Sequence, residues 1–339
     1  MNIKKLLPGV KRNVLLKNYT TFKIGGPAKY FYIAKTKTEL IEVIKKAKNL
    51  NPSPFPKGDR VKLPFFILGG GSNLLVSDAG YGGLVIKNET KNFKIKKEKI
   101  ISESGVPLGQ IIGAAIKKGL GGLEEGSGIP GTVGGAVYGN AGWPKGKWAI
   151  GDLVEKVEIL WPNGKTEKVG KRWLSFNYRN SRFKKIKINK PIILEVVLKL
   201  KKRKIKDLKK KQQEILRTRR EKIPAGFSAG SVFKNPSGLA TGELGEEDKS
   251  SSSTTERAKR SESGKERIFF DFAAARLIEE CGLKGKKIGK VKISEKHANF
   301  IVNLGRGKAK DVIKLIKLIK KKVKNKFKVN LEEEIQYLP

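Results

Sequence analysis

The sequence predicts an α+β fold, on three observations. A strand-like run over 30–34 passes directly into an amphipathic helical pattern over 36–48. Short strand-like runs and one further helical run then share the stretch from Gly83 to Leu200. Two glycine-rich turns, at 69–73 and 121–142, interrupt this pattern; the second holds nine of the chain's 38 glycines in 22 residues. Glycine at that density permits φ > 0 turns and lets backbone amides approach a ligand with no Cβ in the way, so these stretches read as a cradle and not as core.

In order along the chain, residues 19–28 end in the turn signal Gly25-Gly26-Pro27 before the 30–34 strand. Thr36 and Glu39 have capping-box spacing, and Leu40, Ile41, Val43, Ile44 and Ala47 recur at helical spacing. Pro52, Pro54, Pro56 and Pro64 make 51–64 a loop or insertion ahead of the first glycine turn. Strand-like pieces at 83–86, 93–95 and 99–102 precede a helix over 107–118, with Leu108, Ile111, Ile112 and Ala115 on one face. Beyond the second glycine stretch come a strand at 154–161, a turn at Pro162-Asn163-Gly164, an alternating strand at 192–200 and a charged helix at 205–222. Residues 245–267 carry no aromatic or aliphatic side chain beyond Ala258 and are expected to be disordered, having too little to bury to offset their ordering entropy. A helix at 272–280, strands at 291–293 and 299–302, and a basic amphipathic helix at 308–327 close the chain. The apolar stripe of that last helix suits a membrane surface or, as for any surface helix, packing on the domain; packing is the expectation.

The chain has 339 residues, enough for two or three domains, with 74 Lys plus Arg against 32 Asp plus Glu and a net charge of +42. That field attracts anions in general. The lysines are spread over helix faces and loops, and no nucleic-acid module or basic groove with interleaved aromatics is present, so a solvated basic surface and no specific nucleic-acid partner are expected. One cysteine, Cys281, and one histidine, His297, leave no cysteine or histidine cluster for a metal. With no apolar run of about 18 residues and no signal-peptide core, a cytoplasmic location away from the membrane is the expectation.

Neither phosphate motif with a firm mechanism is present: no G-x-x-x-x-G-K-[ST], and no G-x-G-x-x-G opening a helix after a strand. Two glycine loops, the first with Ser72 and Asn73 beside it, suggest one extended, two-ended anion such as a dinucleotide. Gly226-Phe227-Ser228-Ala229-Gly230 matches a nucleophile elbow, with Asp271 and His297 following in hydrolase order. The elbow needs a strand before it and a helix after it, and Pro224 and Pro236 flank it instead, so the hydrolase reading is set aside. Arg179, beside Tyr178, is a candidate for bidentate binding of a carboxylate or phosphate, or else a surface Arg stacked on its neighbour. Ser231 reads locally as a turn residue, and Glu332-Glu333-Glu334 as a solvated acidic run.

Taken in order, Thr21-Phe22-Lys23-Ile24-Gly25-Gly26, Gly69-Gly70-Gly71-Ser72-Asn73-Leu74-Leu75, the GIPGTVGGA block at 128–136, Asn140-Ala141-Gly142, Tyr178-Arg179-Asn180-Ser181, the SAGSVFKNP block at 228–236, Gly282-Leu283-Lys284-Gly285 and His297-Ala298-Asn299-Phe300 resemble the UDP-N-acetylenolpyruvoylglucosamine reductase family. The likeness spans nearly the whole chain. It implies a vanillyl-alcohol-oxidase/PCMH-type FAD-binding fold of two α+β subdomains, 1–64 with 334–339 and 65–203. A C-terminal α+β substrate domain, 204–333, would contain the 240–267 insertion. It also implies NADPH-dependent, FAD-mediated reduction of UDP-N-acetylenolpyruvoylglucosamine to UDP-N-acetylmuramate in peptidoglycan precursor synthesis. By this resemblance the catalytic residues are Arg179, the proton donor Ser231, and Glu334. FAD binding falls on Gly69, Gly70, Gly71, Ser72 and Asn73 and on Gly128, Ile129, Pro130, Gly131, Thr132, Gly134, Gly135 and Ala136. Substrate binding falls on Tyr178, Lys234 and Asn235. The short interval from Arg179 to Ser231 resembles the form of the family that lacks a tyrosine-bearing substrate loop. Ile223-Pro224 stands where Gln-Pro is common, and Glu333 where a proline often precedes the glutamate.

Overall fold

The computed structural model describes residues 3–49, 63–143, 148–186, 188, 190–236 and 273–339. Most of the proline-rich run (51–62), the insertion at 240–267 and Asp271 lie outside the described residues. Strand β1 (Lys11–Leu15) pairs antiparallel with β2 (Pro27–Ala34), and helix α1 (Lys37–Asn49) follows. Thr36 Oγ1 accepts from the Glu39 amide at 3.1 Å, while the Glu39 carboxylate reaches past Thr36 to accept from Lys35 N at 2.7 Å. The helix start expected from Thr36 and Glu39 is therefore capped, with the return bond one residue earlier than a capping box has it. Leu40, Val43, Ile44 and Ala47 of α1 are buried against Leu84 and Ile86.

Strands β3 (Phe65–Leu68) and β5 (Tyr81–Asn88) complete the first sheet in the order β1-β2-β5-β3, while β4 (Leu74–Val76) stands apart from it. β2 and β3 both run parallel to β5. A unit boundary at 64/65 would cut this sheet, so the first unit extends to Asn88. Parallel pairing requires strands to be brought in by crossovers, which a linear reading of runs does not reveal.

The second sheet is antiparallel throughout. It contains β6 (Phe93–Lys96) and β7 (Lys99–Glu103), preceding helices α2 (Leu108–Lys117) and α3 (Val133–Gly139). β8 (Val154–Leu160), β9 (Thr166–Gly170) and β10 (Ile192–Lys199) complete it in the order β9-β8-β10-β7-β6. Ile111, Ile112 and Ala115 of α2 and Val133 and Val137 of α3 share one core with Ile100, Val157 and Val196 of the sheet. Leu208 of α4 (Ile205–Lys222) is buried in that same core, so α4 packs with the second unit and not, as the 203/204 boundary has it, with the third.

The third unit holds α5 (Ala274–Glu280), a ladder of β11 (Lys287–Ile288), β12 (Val291–Ile293) and β13 (Ile301–Asn303), and α6 (Ala309–Phe327). Val312, Leu315, Ile316, Ile319 and Val323 of α6 are buried among Leu277, Ile293 and Leu331, so its stripe packs on the domain. No helix among the described residues is long and apolar enough to cross a membrane. Among the links that return this unit to the first, two frame the C-terminal segment. The Asp78 carboxylate caps α6, accepting from Ala309 N at 2.8 Å and Lys310 N at 3.1 Å. β14 (Gln336–Leu338) lies parallel to β4, with Leu338 among Leu16, Phe31 and Val85. The last segment before β14 therefore crosses between the units, which is where Glu334 sits.

Candidate active site

The two glycine turns, distant in sequence, touch. A Cβ on Gly70 would lie 2.5 Å from Gly131 Cα, and one on Gly69 would lie 2.8 Å from Thr132 Oγ1. Ser72 Oγ ties the loops together by donating to the Pro130 carbonyl at 3.1 Å. Gly71 sits at φ 63°, and a Cβ there would stand 2.2 Å from the Tyr19 carbonyl oxygen. No acceptor among the described residues takes the amides of Gly70, Gly71, Ser72 or Asn73. An array of backbone amides left free of protein acceptors between two glycine turns fits the diphosphate of a dinucleotide such as FAD.

The second turn is narrower as a donor than the sequence predicts. Val133–Gly139 is helical, with Thr132 as N-cap accepting from Gly135 N at 3.3 Å. Ile129 N donates to Gly126 O at 3.0 Å, Gly134 N to Ser104 O at 2.8 Å and Ala136 N to Thr132 O at 2.9 Å. Ile129, Gly134, Gly135 and Ala136 thus shape the cradle while their amides serve the fold. Gly134 is bare because α3 lies directly on β7's end: a Cβ there would meet Ser104 Cβ at 2.7 Å. Gly134→Val is accordingly expected to overpack this contact and lower stability by about 1–3 kcal/mol or more. Gly135→Ala, whose nearest atom is Thr132 Oγ1 at 3.4 Å, is expected to be mild. Thermal unfolding of the two variants, with flavin content measured beside it, checks this.

The C-terminal end of α3 builds the next part of the site. Asn140, left-handed at φ 46°, donates from Nδ2 to Asn177 O at 2.8 Å, and Ser181 Oγ donates to Tyr138 O at 2.7 Å. Asn177 and Asn180 exchange two backbone bonds of 3.0 Å, closing a tight turn over Tyr178 and Arg179. Arg179 occupies the left-handed region at φ 53°, a conformation that costs a non-glycine residue on the order of 1–2 kcal/mol. The turn holds it there.

From this turn the Arg179 guanidinium meets Glu334, with Nε 3.1 Å from Oε1 and both side chains under one-fifth exposed, at 17% and 18%. The Nε–H is not directed at that oxygen, so the pair is an electrostatic contact with hydrogen-bonding capacity left over. The Tyr178 ring, 5.8 Å from Arg179 Cζ, is a secondary neighbour. Burial pushes the Glu334 carboxyl above its ordinary range, against the opposing pull of Arg179, Lys184 and Lys234.

Ser231 reaches the same place along the backbone. Immediately after Ser231, which bridges Phe300, segment 232–234 runs antiparallel to 332–334: Glu334 N donates to Val232 O at 2.8 Å and Lys234 N to Glu332 O at 2.9 Å, around the Phe233–Glu333 bridge. Glu333 makes neither bond with its own amide, so a proline at this position would remove no bond of the pairing. Asn73 Nδ2 donates to the Glu334 carbonyl at 3.0 Å, joining the glycine cradle to the segment that carries this carboxylate. Of the remaining expected residues, Asn235 N approaches the Tyr178 hydroxyl at 3.4 Å, and Lys234 pairs with Glu332. Backbone pairing and the Arg179–Glu334 contact thus bring the stretches 178–179, 231–235 and 332–334 together, and Asn73 ties them to the first glycine turn.

Residues 222–338 match the family model described as UDP-N-acetylenolpyruvoylglucosamine reductase, C-terminal domain, and residues 28–170 match an FAD binding domain. The reductase of Clostridium novyi is 36% identical over 96% of this chain and 91% of its own length; that of Thermotoga maritima is 39% identical over 94% and 95%. The chain belongs to the UDP-N-acetylenolpyruvoylglucosamine reductase family. The crystal structure of the Thermus caldophilus reductase superposes with a TM-score of 0.71 at 33% identity, covering 97% of this chain and 99% of that one. This is the FAD-binding fold expected from the resemblance.

For a member of this family the nucleophile-elbow motif is incidental. Gly226–Gly230 is irregular backbone with no strand before it and no helix after it, and His297 Nδ1 only accepts from Asn299 N at 3.3 Å. Three residues that the sequence did not single out shape the candidate site. Asn299 grips the Phe233 backbone from both sides, accepting from its N at 2.9 Å and donating to its carbonyl at 2.8 Å, and so fixes the segment that carries Ser231. Asn299→Ala would leave two buried backbone groups unpaired and is expected to destabilise by about 2–4 kcal/mol, measurable by urea unfolding. Arg219 lies over Trp143 with Cζ 4.6 Å from the ring centroid, and its Cδ comes within 2.8 Å of where a Gly128 Cβ would be. Lys184 donates to the Arg179 carbonyl at 2.9 Å.

Proposed function

We propose that the chain performs the NADPH-dependent, FAD-mediated reduction of UDP-N-acetylenolpyruvoylglucosamine to UDP-N-acetylmuramate in the cytoplasm, with NADPH and the enolpyruvyl sugar nucleotide as its small-molecule partners. The observation that carries this reading is the buried contact of Arg179 with Glu334 at 3.1 Å, reached by the Ser231 segment and tied to the glycine cradle through Asn73. FAD, when bound, supplies hydride chemistry taken from NADPH. The free amides of 70–73 would hold its diphosphate. Arg179 binds the enolpyruvyl carboxylate and receives the negative charge that reduction pushes onto it. Glu334 orients the enol system by hydrogen bonding, and Ser231 gives its hydroxyl proton to the carbon next to the one reduced, a transfer open to a weak acid where the acceptor is strongly basic and water is excluded. Tyr178, Lys234 and Asn235 bind the substrate beside Arg179. In this reading the units 3–88 with 336–338 and 93–222 share the cofactor, and 223–335 covers the substrate.

The test is a spectrum. Purified protein should be yellow; NADPH should bleach the flavin absorbance, and the enolpyruvyl sugar nucleotide should restore it without oxygen. A colourless protein that refuses added FAD would overturn the reading, as would a reduced flavin that the sugar nucleotide leaves unchanged.

A further inference from the structure

Lys184 is a cation of the site that nothing in the chemistry above uses. It lies in the single helical turn Arg182–Lys185 that follows the Arg179 turn. Its side chain does not extend to solvent as those of the surface lysines do. It folds back, and Nζ donates to the carbonyl of Arg179 at 2.9 Å. That carbonyl belongs to the residue held at φ 53°, so the bond falls on the strained peptide that aims the guanidinium. The charged groups around the ammonium are Arg179 and Lys234 of like sign and Glu334 and Glu332 of opposite sign. Two of these four are the partners in the Arg179–Glu334 contact.

We propose that Lys184 is a positioning residue for the reduction: its ammonium latches the left-handed Arg179 turn through the carbonyl and adds a fixed positive charge beside Glu334. This rests on the reading of the site given above. The two roles separate chemically. The latch needs any donor of the right length, whereas the field needs a charge. Burial lowers the affinity of Lys184 for its proton, with Arg179 and Lys234 acting in the same sense and Glu334 opposing them. The same ammonium opposes the burial that raises the Glu334 carboxyl above its ordinary range.

Lys184→Met, Lys184→Gln and Lys184→Arg, each purified with FAD, test this by stopped-flow kinetics of the two half-reactions across pH. In Lys184→Met, flavin reduction by NADPH should stay within a few-fold of wild type, while reoxidation by the enolpyruvyl sugar nucleotide should slow by up to about 10²-fold, the scale of a misplaced catalytic group. Lys184→Gln, which keeps a donor and loses the charge, should recover part of that rate. Its reoxidation should titrate at higher pH than wild type, because Glu334 has lost a neighbouring cation. Lys184→Arg should restore both rate and pH profile. Wild-type reoxidation in Lys184→Gln with an unmoved pH profile would overturn the electrostatic role. Impairment of Lys184→Arg equal to that of Lys184→Met would reduce the residue to packing. If Lys184→Met fails to fold, the Gln and Arg variants decide the matter between them. A wild-type enzyme that the sugar nucleotide does not reoxidise would instead overturn the reading of the site itself.

Discussion

Ser231→Ala is expected to leave flavin reduction by NADPH near the wild-type rate while slowing reoxidation by the enolpyruvyl substrate roughly 10²- to 10⁴-fold. Hydride delivery and protonation occur at adjacent carbons of one substrate, so losing the proton donor stalls only the half-reaction that needs it. The backbone around Ser231 does not depend on the hydroxyl. Val232 N donates to Asn299 O at 2.8 Å and Phe233 is clamped by the Asn299 side chain, so the alanine variant keeps the segment in place. Ser228→Ala is the internal control. Ser228 contributes its carbonyl to Thr21 Oγ1 at 2.7 Å, a bond that alanine preserves, and a mild phenotype is expected. Stopped-flow absorbance of the flavin reads both half-reactions; a crippled Ser228→Ala beside an intact Ser231→Ala would reverse the assignment.

Glu334→Gln is expected to slow reoxidation by roughly 10²- to 10³-fold, the usual cost of removing one preorganised group from a site where charge develops. It should also change the pH dependence of stability in a definite direction. Burial raises the folded-state pKa of Glu334 above its ordinary value of 4.5. The folded protein therefore holds this proton more tightly than the unfolded chain does. The stability this provides is full below the unfolded value and is lost as pH rises through the folded one. Wild type should thus gain stability relative to Glu334→Gln as pH falls from neutral towards 5, read from urea unfolding midpoints of the two proteins. A difference independent of pH would mean that Arg179, Lys184 and Lys234 fully offset the burial.

Much of the site was legible because its residues sit in blocks with distinctive neighbours: Arg179 after Tyr178, Ser231 inside SAGSVFKNP, Glu334 at the end of an acidic run. Asn299 lay in a recognised block, yet its grip on Phe233 depends on a contact across 66 residues that local sequence does not encode. Lys184 and Arg219 had no signal at all, being two among 74 basic residues. What distinguishes them is burial beside Arg179 and Gly128, and burial is a property of the fold. The glycines of the second turn show the same limit. Gly134 and Gly128 look alike in sequence, but Gly134 is bare to admit Ser104, whereas Gly128 sits in the left-handed region at φ 79° beneath Arg219.

The order of elements, the α+β class, the packing stripe of α6 and the choice of candidate catalytic side chains were determined by the sequence alone, because period, turn chemistry and motif spacing are local properties of a chain. Tertiary structure alone decided which strands share a sheet and which unit claims α4. It also decided which amides remain free to meet a phosphate, and the protonation bias of Glu334. Each of these depends on atoms far apart in sequence: parallel pairing joins strands across crossovers, an amide is free only if no distant carbonyl takes it, and a carboxyl's pKa follows the burial and cations the fold assembles around it.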